Sequence, residues 1–289
     1  MNSLQRYLGT LKGERVDFLP RIPIVMQFAA EYIGSNYGAF AADHSVLVEA
    51  NRRCAEDFGF EQLSSISDPY RETQGFGGRV TYVADGVPRC TAPLEETKNL
   101  SLLEHPDPRV SERMADRVEA ITHYKKTFGG RYSILGWVEG PAAEAADLRG
   151  ATNVLTDTVD DPDFLGELMD RCLAVGIDFA KVQIAAGADT IGIGDAIASL
   201  LSPRFYDAHI QPREKVLVNA IHDAGAYVRL HICGNITPLL GMLAEVEADL
   251  VDLDSMVPVA EARRLFGPRR CLAGNLNPVE AVRNGCSFQ

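Results

Sequence analysis

Apolar residues along this chain keep two alternating rhythms. Short apolar runs recur at 22–26, 63–67, 132–138, 189–194, 228–232, 249–254 and 270–274, each too short for a helix and bounded by Gly, Pro or polar residues. Between them apolar positions return at helical spacing. The stretch 43–58 carries Leu47, Ala50, Cys54 and Phe58 on one face, and further helices are predicted near 108–127, 141–149, 161–186 and 203–224. The first twenty residues read as a short helix and a charged turn. Residues 70–98 break the rhythm: Gly75, Gly77 and Gly78 precede Val80-Thr81-Tyr82-Val83, and Asp85-Gly86 turns the chain into Val87-Pro88-Arg89-Cys90, a β-hairpin excursion.

Short strands separated by helices predict a parallel α/β arrangement. Each strand ends in polar or glycine residues, which suits a (β/α)8 TIM barrel with its site at the C-terminal strand ends. A doubly wound sheet is the alternative, but no glycine-rich phosphate turn follows the first strand. The expectation is a single TIM-barrel domain over 1–289. Because the sequence stops at Gly285-Cys286-Ser287-Phe288-Gln289, just after the seventh strand, the eighth strand is expected to be missing and the barrel C-terminally incomplete.

Composition changes this picture little. At 289 residues, 46% hydrophobic and 24% charged, the chain resembles an ordinary globular protein. A net charge of −12 argues against a nucleic-acid surface, and the apolar runs are too short to span a membrane. The start lacks the apolar core of a signal peptide, and the six cysteines have no disulfide spacing, so a cytoplasmic location is expected.

The candidate chemistry lies at Val228-Arg229-Leu230-His231-Ile232-Cys233-Gly234-Asn235. In a strand, alternate side chains share a face, so His231 and Cys233 project together, roughly 7 Å apart along the backbone. One zinc ion takes both donor types. A core histidine beside a free cysteine is the plain alternative.

Four stretches together resemble the uroporphyrinogen decarboxylase superfamily: Ser67-Asp68-Pro69 with Glu72, Gly136-Trp137-Val138-Glu139-Gly140-Pro141, His231-Ile232-Cys233-Gly234-Asn235 and Gly274-Asn275-Leu276-Asn277-Pro278. The superfamily contains metal-free decarboxylases and zinc-dependent methyltransferases that exchange methyl groups with a corrinoid. The decarboxylases carry arginines at the register of Met26-Gln27-Phe28-Ala29-Ala30-Glu31-Tyr32, where this chain has Gln27 and Glu31. A carboxylate there repels a polyanionic tetrapyrrole. The resemblance therefore favours the methyltransferase branch.

It implies zinc on His231 and Cys233, a corrinoid carried by a partner protein, and a small methyl donor or acceptor: a thiol, tetrahydrofolate, or a methyl ether or amine. A third zinc ligand, a cysteine, is expected beyond Gln289. Cys271, opening its strand, is expected in the core, and Cys286 on the far side of the barrel. Asp68 and Glu139 are the catalytic candidates, Asp68 in substrate binding or proton handling, Glu139 as a general acid or a further metal contact. Gln27, Trp137, Asp195, Asn235, Asp254 and Asn275 are the candidates for substrate binding, with Asp195 or Asp254 as an orienting partner for His231. Caps, turns and core packing are the ordinary alternatives for each. A homodimer stays open. The competing functions are a metal-free lyase using Asp68 and a non-catalytic barrel that binds a small molecule.

Overall fold

The computed structural model describes residues 1–283. Six parallel strands form one curled sheet in the order β1 (Gln62–Ser64), β4 (Ser133–Glu139), β5 (Thr190–Gly194), β6 (Tyr227–His231), β7 (Leu250–Leu253), β8 (Cys271–Gly274). A separate antiparallel pair, β2 (Val80–Thr81) and β3 (Arg89–Cys90), makes the hairpin. Helices α1 (Ser3–Leu11), α2 (Gln27–Tyr32), α3 (Tyr37–Ala42) and α4 (His44–Phe58) precede β1; α5 (Arg71–Gly75) and α6 (Glu112–Phe128) connect it to β4. Three helices follow β4: α7 (Pro141–Arg149), α8 (Ala151–Asp160) and α9 (Pro162–Ala186). Next come α10 (Pro203–Phe205), α11 (Gln211–Asp223), α12 (Leu240–Leu243), α13 (Val259–Phe266) and α14 (Pro278–Arg283). The architecture is α/β and barrel-like, and six strands leave the barrel unclosed among the described residues.

Two-residue alternation decides what each strand offers. Ile134, Val138, Ile191, Ile193, Val228, Leu230 and Val251 are buried in the main core, between sheet and helices. Each such side chain removed from water contributes about 1.5–3 kcal/mol. The opposite parity faces inward, where Leu135 and Trp137 meet Ile66, Ile24 and Met26 in a second small cluster.

Three differences from the sequence reading have local causes. The run 22–26 is extended but lies outside the ladder; Pro20 and Pro23 remove amide donors that pairing would need. The helix expected over 203–224 is interrupted by a π-helical turn at Tyr206–Ile210. Pro212, at the start of α11, has no N–H for the preceding turn, so the backbone widens there. The short helices α2, α3, α5 and α8 have no counterpart in the sequence reading. Asn36 caps α3 and Asp43 caps α4 through side-chain oxygens.

Candidate metal centre at the strand ends

His231 closes β6, paired in register with Gly194 of β5 and Asp252 of β7. Its Nδ1 meets Asp252 Oδ2 at 2.9 Å, and the Cys233 thiol lies near enough for each group to shift the other's titration. Cys233 itself is exposed, just past the end of the strand. Behind the pair, Arg229 Nε donates to both Asp252 oxygens at 3.1 and 3.0 Å, and Arg229 Nη1 reaches Gln62 Oε1 and the carbonyl of Ile22. Burial alone would raise the Asp252 carboxyl, but Arg229 and His231 hold it below the usual carboxylate range. Burial likewise opposes charge on His231, yet the bonds to Asp252 and Cys233 outweigh it and lift the imidazole to about 9. The imidazole in turn lowers the Cys233 thiol against the effect of its partial burial.

This arrangement fits a soft divalent cation. One imidazole and one thiol, near enough to shift each other's titration, offer the nitrogen and sulfur donors that such an ion takes. The carboxylate on the far nitrogen fixes tautomer and ring orientation. The turn after Cys233 is held as well: Asp254 Oδ2 accepts from the Gly234 amide at 3.0 Å, where Gly234 adopts φ +93°.

Glycines on β5 make room for the indole beside the pair. A side chain on Gly192 would fall 2.1 Å from Trp137 Cε3, and one on Gly194 would sit 3.1 Å from both Trp137 Nε1 and Glu139 Oε2. The Trp137 and His231 rings lie 5.9 Å apart at 59°. The His231–Cys233 pair, the indole and Glu139 therefore neighbour one another at the C-terminal strand ends.

A family model described as uroporphyrinogen decarboxylase (URO-D) matches residues 2–286. The chain belongs to the uroporphyrinogen decarboxylase family. Methylcobamide:CoM methyltransferase MtbA of Methanosarcina mazei is 26% identical over 298 residues, covering 97% of this chain and 84% of that protein. The uroporphyrinogen decarboxylase of Streptomyces coelicolor is 37% identical over 119 residues, 41% of this chain and 33% of that protein. A solved structure described as a methyltransferase from Methanosarcina mazei shares the fold, with a TM-score of 0.87 at 22% identity over 96% of this chain and 83% of that one.

Within this uroporphyrinogen decarboxylase-family fold the other sequence candidates are placed as follows. Asp68 is 4% exposed, and both its oxygens are taken. Arg113 Nη1 and Nη2 bond them at 2.7 and 2.6 Å, joined by the Tyr70 amide and the Ser67 hydroxyl. Burial pushes the Asp68 carboxyl up, but Arg113 and its other partners bring it down to about 2. Glu139 Oε1 is paired with Arg71 at 2.6 Å. Asp195 meets His231 only through backbone, its amide donating to the His231 carbonyl at 3.0 Å; its side chain is fully buried, and Oδ1 accepts from the Ala143 amide at 2.7 Å, at the start of α7. Burial lifts it to about 7 against those amide bonds. Asp254 also serves backbone, through the Gly234 and Met256 amides. Gln27 bonds Glu31 on the surface, Asn235 caps the turn at Thr237, and Asn275 donates to the Val257 carbonyl. Cys271 is half-buried, its sulfur on the Thr10 carbonyl, and Cys286 lies outside the described residues.

The orienting partner of His231 is thus Asp252, supported by Arg229. Its signal in the sequence is parity, since Arg229 and His231 alternate on one strand and Asp252 sits mid-run on the next. Elsewhere, Asp43, His44 and Asp116 bring three ligand atoms within 4.8 Å of one another. Asp43 caps Ser45 and Asp116 accepts from the His44 amide and ring, so each carboxylate already has a partner there. Among the described residues no helix is long and apolar enough to cross a membrane.

Proposed function

We propose that this protein is a zinc-dependent methyltransferase that moves a methyl group between a corrinoid carried by a partner protein and a small substrate. The observation that carries the reading is the neighbouring His231 and Cys233, with Asp252 and Arg229 hydrogen-bonded behind the imidazole. The names of the full-length relatives, methylcobamide:CoM methyltransferases, support the corrinoid side of the reaction. His231 and Cys233 would hold zinc, which would supply Lewis acidity to the reacting heteroatom and, for a thiol, favour the thiolate.

The chain's own residues do the rest. Asp252 holds the imidazole with its free nitrogen toward the ligand side, and Arg229 keeps Asp252 ionised. Trp137 walls the cleft beside His231, restricting water around the transferring methyl. Glu139, at the lip, handles the proton of the heteroatom. Asp68 acts as a structural ion pair, tying the segment after β1 to α6 through Arg113.

Purified protein loaded with zinc and dialysed is expected to retain about one ion per chain, and Cys233→Ser to lose it. Free methylcobalamin supplied with a panel of thiols should be consumed by the wild type and not by Cys233→Ser. Activity that survives both chelation and Cys233→Ser would overturn the reading and favour a metal-free lyase.

A further inference from the structure

Three neighbouring strands bring Glu139, Gly194 and His231 to one level. Glu139 of β4 pairs in register with Gly194 of β5, and Gly194 with His231 of β6. Partners in a parallel ladder project to the same side, so carboxylate and imidazole stand two strand spacings apart, about 10 Å between their Cα atoms. The residue between them has no side chain. Two polar atoms border its place instead: a side chain on Gly194 would lie 3.1 Å from Glu139 Oε2 and 3.1 Å from Trp137 Nε1. Glu139 Oε1 is held by Arg71 at 2.6 Å. Among the described residues Oε2 accepts no hydrogen bond and the indole N–H donates none, yet neither atom is sealed from solvent.

Charge around this level is one-sided. Three buried guanidiniums stand at or near the strand ends, and each is committed: Arg71 to Glu139, with Glu72 a further 3.5 Å neighbour, Arg113 to Asp68, and Arg229 to Asp252. Met26 packs against the Trp137 cluster, but the helix that follows it adds no cation there, since Gln27 bonds Glu31. An anion at the Gly194 position would meet a carboxylate oxygen with no uncommitted guanidinium beside it, and like charges in partly desolvated surroundings repel. A carboxylate oxygen beside an indole N–H suits the opposite kind of group, one that donates a hydrogen bond and is not itself an anion.

We propose that the small substrate carries a hydroxyl or amino group close to its reacting heteroatom, and that Glu139 excludes carboxylates, sulfonates and phosphates from that place. This selectivity rests on the methyl-transfer reading and deepens it, by naming the substrate class. The carboxylate assigned the proton of the heteroatom thus also reads the group beside it. Its charge comes from the ion pair: burial pushes the Glu139 carboxyl well above the ordinary range, and the guanidinium at 2.6 Å works against that push and keeps a carboxylate there. Exposure follows the same order, with the His231 side chain one-third exposed and that of Glu139 9%, so the reacting end lies outward and the selecting oxygen deeper.

Three thiols of one length test this: 2-mercaptoethanol, cysteamine and 3-mercaptopropionate differ only in the group beyond the second carbon. The full chain, loaded with zinc, is titrated with each while the indole N–H signal of its single tryptophan is followed in proton–nitrogen NMR spectra, with no corrinoid present. The hydroxyl and ammonium thiols should move that signal at concentrations about tenfold or more below the carboxylate thiol. In Glu139→Gln the gap should close, through tighter binding of the carboxylate thiol. Equal binding of all three by the wild type, or a gap that Glu139→Gln leaves unchanged, overturns the selectivity. Methyl transfer from methylcobalamin to the same three thiols should follow the same order in kcat/KM. Selective binding without transfer to any of them removes the methyl-transfer reading and leaves the amine or hydroxyl site. Transfer to all three at one rate removes the selectivity and leaves methyl transfer, and no binding by any of them overturns both.

Discussion

His231 is held from both sides, and the two sides do different work. Cys233 faces the cleft with it, while Asp252 takes the Nδ1 proton and is itself clamped by two hydrogen bonds from Arg229. Asp252→Asn keeps the shape but can no longer accept as a carboxylate, so the imidazole loses both its fixed tautomer and basicity. Zinc affinity measured by chelator competition should fall about 10- to 100-fold in that variant, with the fold retained by circular dichroism. An unchanged affinity would mean that Asp252 only neutralises Arg229. The residue was not singled out from the sequence, because four aspartates end or flank strands here and local pattern does not rank them. Asp195, an equally good candidate on paper, caps α7 instead.

At the scale of elements, two features set the cleft. The strand Thr190-Ile191-Gly192-Ile193-Gly194 puts isoleucines into the core and glycines toward the interior, where Trp137 lies against the bare backbone. Gly192→Ala drives a methyl into the indole, which has no flexible end to yield. The expected loss is about 1–3 kcal/mol in urea unfolding, together with a displaced Trp137 whose fluorescence shifts. A variant as stable as wild type would show that the indole repacks freely. The second feature is the Asp68–Arg113 pair that fastens the segment after β1 to α6. Its carboxyl is depressed to about 2 from an ordinary 3.8, so its contribution is present above about 3.8 and is lost as pH falls through about 2. That shift corresponds to about 2 kcal/mol. The stability gap between wild type and Asp68→Asn should therefore narrow over that window, and a gap independent of pH would contradict the ion pair.

For the whole molecule, metal and fold are linked. Both proposed ligands come from one strand end, but the imidazole is aimed by Asp252 of β7 and flanked by Trp137 of β4. A cation that binds only this assembled state stabilises it by mass action, by about 2.7 kcal/mol at a hundredfold excess over Kd. Zinc should accordingly raise the Tm of the wild type and leave that of Cys233→Ser unmoved in differential scanning calorimetry. An equal rise in both would place the bound ion elsewhere, with Asp43, His44 and Asp116 the first site to inspect. The net charge of −12 makes this control necessary, since weak surface sites for cations are common on acidic proteins.

The sequence by itself determined the alternation of strands and helices and the shared parity of His231 and Cys233. These depend on repeats of two and 3.6 residues, which the backbone imposes locally. It also carried the family motifs, whose order along the chain matches the fold. Only the tertiary structure decided what each carboxylate touches. Asp252 meets His231 because β6 and β7 pair in one register, and Asp195 meets α7 because that helix starts beside the end of β5. Such contacts join residues tens of positions apart and depend on sheet register and helix docking, which no local pattern encodes. The extended run at 22–26 shows the same limit in reverse: its apolar pattern promised a sheet strand, and its prolines left it beside the ladder without joining it.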